Sequence, residues 1–506
     1  MALSQSSPSS FASLDVISDL RHWSYRIPGF FTWGLFLLML AGAVIFPYET
    51  LTVARVITII MFARVQWMIL CYLYGVIQLR KTAQRVEAPG FDYAPGSTTH
   101  HLVIIPNFKE PTEILERTLH ALAVQHQAAA RVSIVLAMEE SDPHARQQAA
   151  YLIERFSASF ARIFATFHPA GIENEIPGKA ANQTWAARKA RSILVDQAGI
   201  PLDTILVTSC DADSTLHPSY LAEVARRFEQ DPRRHDRIWQ VAVLFDANIW
   251  EVVTSIRMMT FYTNAIILSE LINPFAFPMP HSTYTLSFKL IHEIGYWDVA
   301  VISEDWHLLL RAFFATRGKA NVSPILLPVH GEAIVGRGTW DAWKNYYNQA
   351  LRHAWGSEEV AYIFQQDGRR RGIPWGVRFL RYQKIINDQL IFSLSTIAML
   401  IGTVLSIILF REPILTLPSQ TAFPILTAGF NLLGGVLSWM VWYVERRRCN
   451  GRKSVWQFIT VLSEIATWAM VPFIAIGLMG VPVIHAQTKM AFASPLTYSR
   501  TPKTVN

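Results

Sequence analysis

The amino-acid sequence predicts an α/β protein, a doubly wound and mostly parallel sheet flanked by transmembrane α-helices. Three observations predict it. Long apolar runs with few charges stand towards both ends of the chain. Between them, short apolar runs alternate with stretches of helical periodicity. Charged residues are only 16% of the 506 residues, and mean hydropathy is +0.23. Soluble proteins carry about 25% charge, so a wholly soluble protein is not expected. The 29 Phe, 16 Trp and 16 Tyr exclude general disorder. Cys71, Cys210 and Cys449 have neither paired nor metal-like spacing, which excludes a disulfide framework and a zinc finger.

Residues 1–26 form a tip that is Ser-rich from Ser4 to Ser10. The uncharged run Ile27–Phe46 has spanning length, about 20 residues. It is too long and starts too late for a cleaved signal, so it is expected to be an anchor. A short Pro47–Thr50 link leads to a second run, Val56–Leu79, which contains Arg64. Residues 27–80 are therefore two predicted spans. Residues 389–484 hold three or four more membrane segments. Two are Gln389–Phe410 and Phe423–Val444. The stretch Val455–Ile484 contains Glu464, Pro472 and Pro482, and fits either one tilted span or a span with a re-entrant piece. Arg64 and Glu464 are expected to be paired or near an interface. Residues 485–506 are a tail.

Loop charge sets the orientation. Arg80, Lys81 and Arg85 follow the second run, and Arg446, Arg447, Arg448, Arg452 and Lys453 follow the fourth. The positive-inside rule places the amino-terminal tip 1–26, residues 80–388 and the 445–453 loop in the cytoplasm. The expected location is a bacterial plasma membrane with the soluble middle cytoplasmic. The net charge of +7 fits cytoplasmic loops and does not call for a nucleic-acid partner.

Residues 98–340 read as the α/β domain. Strands are predicted at Leu102–Ile105, ending at Pro106, and at Val132–Ala137, Ile163–Phe167 and Thr204–Thr208. Helices are predicted over 113–125, 144–156 and 182–197. Ligands of such sheets sit beyond the carboxyl ends of the strands, where the polar motifs of this sequence also stand.

Asp211-Ala-Asp213 follows the strand TILVTSC. Two carboxylates one residue apart can hold Mg²⁺ or Mn²⁺, with waters and phosphate oxygens completing the shell. Ser303-Glu304-Asp305-Trp306 opens a helical run. A carboxylate there can cap the helix, or act as general base towards an acceptor hydroxyl. Gly178-Lys179 precedes another helix. The glycine spacing is not that of a P-loop, and Lys179 is either a solvated loop residue or a phosphate contact. Residues 340–388 mix aromatic and basic side chains, as amphipathic helices of the headgroup zone do. Gln349, Arg352 and Trp355 in this segment are candidate substrate contacts.

In this order the motifs resemble those of the family-two, inverting membrane glycosyltransferases, the group of cellulose, chitin and hyaluronan synthases. The likeness covers residues 100–390. IIPNFKEP (Ile104–Pro111) resembles their nucleotide-binding first strand and turn, with Lys109 where Asn is usual. Ala137–Asp142 sits where they carry an acidic uridine-contacting segment, here Glu139-Glu140. EIPGKAAN resembles their lysine segment near the diphosphate, CDAD their metal motif, and ISEDW their acceptor-base motif. QALRHAW lies where they carry Gln-x-x-Arg-Trp, with the tryptophan displaced to Trp355. Tyr498–Lys503 resembles the gating signature of processive synthases.

The resemblance implies a GT-A-like domain and a nucleotide-diphospho-sugar donor. It implies donor contacts at Pro106, Glu110, Glu139, Glu140, Lys179, Asp211, Gln349, Arg352 and Trp355. Mg²⁺ or Mn²⁺ would sit at Asp211 and Asp213. Asp305, beside Glu304, would be the catalytic base. The acceptor is a growing polysaccharide or, as the alternative, a lipid that takes a single sugar. Two other classes compete. A non-catalytic membrane scaffold would not need the ordered carboxylates, and a nucleotidyltransferase would release pyrophosphate.

Overall fold

The computed structural model of the protein describes residues 23–369, 372–392, 404–405, 407–409, 419–449, 456–492 and 494. Most of the predicted Gln389–Phe410 span, the Ser4–Ser10 tip and the Tyr498–Lys503 signature lie outside the described residues. The centre of the chain is one sheet of eight strands. They are β1 (His100–Asn107), β2 (Val132–Glu139), β3 (Arg162–His168), β4 (Ile205–Ser209), β5 (Thr215–Leu216), β6 (Arg237–Phe245), β7 (Tyr284–Ser287) and β8 (Asn321–Gly331). Their order is β3-β2-β1-β4-β7-β6-β8-β5.

The first half of the sheet is as predicted. β3, β2, β1 and β4 pair in parallel. Parallel strands are covered on both faces and so read as continuous apolar runs. β2 is VSIVLAME, buried from Val132 to Met138. The second half is mixed. β7 runs antiparallel to both β4 and β6, while β6 and β8 are parallel. β8 contains Pro324 and Pro328, neither of which can donate a ladder hydrogen bond. The register between β6 and β8 slips between Val241 and Ala242, where β8 passes from Ile325 to Pro328.

One apolar cluster packs Leu115, Leu119, Leu152 and Phe228 beneath Ile105, Leu136 and Val241. A second lies on the other face, with Ala186, Ala190, Trp297 and Leu309 against Ile104, Val135 and Leu286. The helix Glu304–Ala315 belongs to this second layer, which brings its first turn to the carboxyl ends of the strands.

Three stretches among the described residues are long and apolar enough to cross a membrane: Trp23–Ile45, Pro47–Val86 and Phe458–Ala491. Pro47–Thr50 is no link. It is the first turn of the 40-residue helix Pro47–Val86, because Pro fits a helix start and only Phe46 leaves the helical backbone. At about 60 Å that helix outruns a hydrocarbon core of about 30 Å. Its end joins the domain, with Val86 in the core and Arg85 2.6 Å from Glu223. A 19-residue helix, Thr254–Ile272, lies along it. Gly75 permits this approach, since a Cβ there would meet Leu268 Cγ at 2.8 Å.

The last apolar stretch runs through Trp456–Ala475, a π-helical turn at Ile476–Gly480, and Val481–Ala491. From Glu464 onwards it makes spaced contacts with other segments. Glu464 is buried and pairs with Arg257 at 2.8 Å and with Arg446. Trp468 donates to Tyr262 at 3.1 Å, and Tyr347 meets His485 at 3.0 Å. Leu478 packs with Ile249 and Val335, and Met490 with Ile302. Its other side exposes Phe458, Ile459, Leu462, Ile465 and Phe473. Arg64 reaches Asn387 at 2.6 Å.

Candidate active site

β4 ends at Ser209, and the chain turns through Asp211-Ala-Asp213 into β5. Asp211 is a third exposed, while Asp213 is buried and accepts from the Glu332 N–H at 3.2 Å. Lys179 opens the helix Lys179–Arg191, whose small residues Ala180, Ala181, Ala186 and Ala187 let it lie close on the sheet. The Lys179 ammonium stands 3.0 Å from Asp211, 3.4 Å from Asp305 and 3.7 Å from Glu304. Burial opposes its charge. Asp211, Asp305 and Glu304 outweigh that, and its pKa is raised well above the ordinary lysine value.

Three carboxylates therefore share one ammonium. Burial, followed by the charge of Asp305, lifts Glu304 to about 7 against the pull of Lys179. The cluster carries more negative charge than its lysine offsets. Hard carboxylate oxygens and surplus negative charge suit a divalent cation. Among the described residues, no three His, Cys, Asp or Glu side chains converge as a complete metal cage. Asp211 and Asp213 would supply only part of a coordination shell, leaving the rest for water and phosphate oxygens.

Asp305 is held from several sides. Its Oδ1 accepts from the Tyr284 hydroxyl at 2.8 Å, which in turn accepts from Trp297 Nε1 at 2.7 Å. Burial, then Asp305, push the Tyr284 hydroxyl well above its usual pKa, so it remains a donor. Asp305 Oδ2 accepts from the Ser282 N–H at 3.1 Å, and the Ser282 hydroxyl donates to Asp211 at 2.6 Å. A carboxylate offers about four acceptor positions. Three are used here, which leaves room for one further donor such as an acceptor hydroxyl. Ser282 has φ +57°, a left-handed backbone that is unusual outside glycine. Ser282 and Tyr284 were not legible as site residues, because the segment HSTYTLS reads as an ordinary strand approach.

The remaining candidates are dispersed. Pro106 lies near the end of β1, and Glu110 follows in a turn where its N–H donates to Asn107 at 3.0 Å. Lys109 in that turn has φ +59°, a conformation Asn tolerates better. Glu139 is engaged by His168 at 3.1 Å, whose other nitrogen lies 2.9 Å from Glu175. Burial raises Glu139, partly offset by His168. Glu140 pairs with Arg146 at 2.7 Å on the surface. Gln349 and Arg352 lie half-buried on the helix Thr339–Ala354, three residues apart and so on one face. Trp355 continues that spacing and packs with Ile302, the neighbour of Ser303. Beside Lys179 and Glu304, a small hollow opens between 176–180 and 301–304.

The sequence profile of glycosyl transferase family group 2 matches residues 206–481. No curated protein sequence matches. Among solved structures, the chain is similar to the mannosyltransferase PcManGT of Pyrobaculum calidifontis, in complex with GDP-Man and Mn²⁺. The identity is 15% and the TM-score 0.44, covering 86% of this chain and 98% of that one. GalNAc-T7 with UDP, GalNAc and Mn²⁺ is 12% identical with a TM-score of 0.34, covering 58% of each chain. S. aureus TarS 1-349 with UDP-GlcNAc is 10% identical with a TM-score of 0.32, covering 78% of this chain and 93% of that one.

Proposed function

The chain belongs to glycosyl transferase family group 2, and we propose that it is a membrane enzyme moving a sugar from a nucleotide-diphospho-sugar onto a growing polysaccharide, with inversion. The single observation that supports this most is the grouping of Lys179, Asp211, Glu304 and Asp305 at the strand ends.

In this reading Asp305 takes the proton from the acceptor hydroxyl as that oxygen attacks the anomeric carbon. Tyr284 and Ser282 hold the carboxylate in place. Lys179 faces the diphosphate, where its charge favours the departing nucleoside diphosphate. Asp211 and Asp213 would hold Mg²⁺ or Mn²⁺, which offsets negative charge on the leaving group. Pro106, Glu110, Glu139 and Glu140 border the nucleotide end. Gln349, Arg352 and Trp355 stand at the membrane mouth, with Arg352 suited to a phosphate.

One observation favours a second reading, transfer of a single sugar to a lipid. Ile302, next to the base loop, packs in one apolar cluster with Trp355, Ala486 and Met490. The helix before the one carrying Ala486 and Met490, Trp456–Ala475, exposes Phe458, Ile459, Leu462, Ile465 and Phe473. A lipid acceptor could therefore approach the base along apolar surface.

The basic residues behind the fourth apolar run meet the domain, since Arg448 pairs with Asp246. This supports one side, the cytoplasm, for the domain and that loop. The contacts of residues 464–490 along the domain support an interfacial rather than a spanning course for that stretch.

The test is to incubate purified protein in lipid with a panel of nucleotide sugars. Free nucleoside diphosphate and product size are read together. Release of pyrophosphate, or no nucleotide release with any donor, refutes the reading. A lipid carrying one sugar selects the second acceptor.

A further inference from the structure

Two positions beyond Asp305, a second group of ionisable side chains lies sealed in the fold, unused by the chemistry above. His307 is 1% exposed. Its Nε2 stands 3.4 Å from Asp298, and its Nδ1 stands 3.1 Å from each oxygen of Glu359. The ring packs on Tyr362 with centroids 4.4 Å apart. Burial works against an imidazolium here, but Glu359 and Asp298 overcome it and raise His307 to about 10. The bridge is thus a charged one. It joins the helix Glu304–Ala315 to the helix Glu358–Arg369 and to the loop before Ser303.

Glu358 makes a second link. It is 4% exposed beside the Ile302–Ser303 backbone, and burial, followed by the charge of Glu359, pushes its carboxyl up to about 8. Ser303 is the residue before Glu304, and no side chain of its own caps that helix. The two helices also meet closely nearby, as a Cβ on Gly356 would lie 3.4 Å from the Ser303 hydroxyl. Ser357 is in turn bound by Gln487 at 3.1 Å. Gln487 is also hydrogen-bonded to Thr32 of the first apolar helix.

Buried ion pairs are poor stabilisers compared with apolar packing of the same volume, because desolvation offsets their attraction. What they do well is fix one geometry. A base must be held near its hydroxyl, and a displacement of about 1 Å can cost roughly a hundredfold in rate.

We infer that Glu358 and the Asp298–His307–Glu359 bridge are positioning residues that set the Ile302–Ser303 loop and thereby aim Asp305 at the acceptor hydroxyl. The inference rests on the reading of Asp305 as the base. All four side chains are buried. They act through the backbone that carries Asp305, and they tie it to the segment after Arg352 and to the membrane-facing helices.

The test is a double-mutant cycle on the full chain in lipid, with donor affinity read by calorimetry beside kcat and KM. Glu358→Ala is expected to lower kcat roughly ten- to a hundredfold, with donor affinity within about twofold. Glu358→Gln, which keeps the size and a neutral acceptor oxygen at that buried position, restores most of kcat. In an Asp305→Asn background, Glu358→Ala is expected to cost less than about threefold more, since coupled residues are not additive. If Glu358→Ala fails to fold, His307→Gln carries the same cycle. Equal losses in both backgrounds, or joint loss of donor binding and rate, overturn the positioning role while leaving Asp305 as base. An Asp305→Asn enzyme as fast as wild type overturns both.

Discussion

Lys179 Nζ stands 3.4 Å from the carboxylate of Asp305, across 126 positions of sequence. The same nitrogen is 3.0 Å from Asp211. One ammonium thus joins the turn after β4 to the first turn of the helix Glu304–Ala315. Lys179→Gln removes the charge that three carboxylates share. Donor affinity is expected to fall at least tenfold, and thermal stability to fall as well, because unpaired buried charge costs about 3–5 kcal/mol. Calorimetric titration and a melting curve check it. Unchanged donor affinity would show that Lys179 only balances the carboxylates.

Asp305→Asn is expected to keep donor binding close to wild type and to lower turnover by roughly 10²–10⁴. Tyr284 and Ser282 can still bond the asparagine, so the loop stays in place. Glu304→Gln is expected to be milder, since Glu304 makes the longest of the three contacts with Lys179, 3.7 Å. Calorimetry beside initial rates decides. Joint loss of binding and rate in Asp305→Asn removes it from the role of base.

Activity is expected to require a divalent cation, and Asp213→Asn to abolish it. Asp213 is buried and fixed by the Glu332 N–H, so its replacement has little freedom to recover a ligand position. Rates are measured in excess chelator and after Mg²⁺ or Mn²⁺ is restored. Full turnover in chelator refutes the metal assignment.

His307 gives a pH dependence with a definite sign. Its folded pKa is raised from 6.5 to about 10. Folding therefore retains a proton that the unfolded chain releases. The stabilisation is fully present below about 6.5 and is lost as pH rises towards about 10. Denaturation midpoints measured across that window should fall with pH, and His307→Gln should flatten the fall. An equal slope in both proteins would place the titration elsewhere.

Cysteines introduced at Arg447 and Ser494 are expected to be labelled from the same side as the catalytic domain. Arg447 lies beside Arg448, which meets Asp246, and Ser494 follows the helix that packs on Ile302. Labelling of position 494 alone by an impermeant reagent outside intact cells would make the last apolar stretch a true span.

Much of this protein was legible without coordinates. Apolar runs such as LVII and VSIVLA mark parallel strands because both of their faces are covered. Helical periodicity marked 144–156 closely, as Ala145–Phe156. The site motifs stood in order, and Lys179, Asp211, Glu304 and Asp305 do come together. Periodicity reports what each segment buries locally. It does not report which distant segment lies beside it. Glu139 and Glu140 look equivalent in sequence, yet one meets His168 and the other Arg146 on the surface. Ser282 and Tyr284 reach Asp305 only because β7 inserts antiparallel between β4 and β6. Likewise, Val455–Ile484 has the composition of a span, which does not tell that Glu464 within it pairs with Arg257 and Trp468 with Tyr262. Composition sets how much apolar surface must leave water, and tertiary packing decides whether lipid or protein receives it.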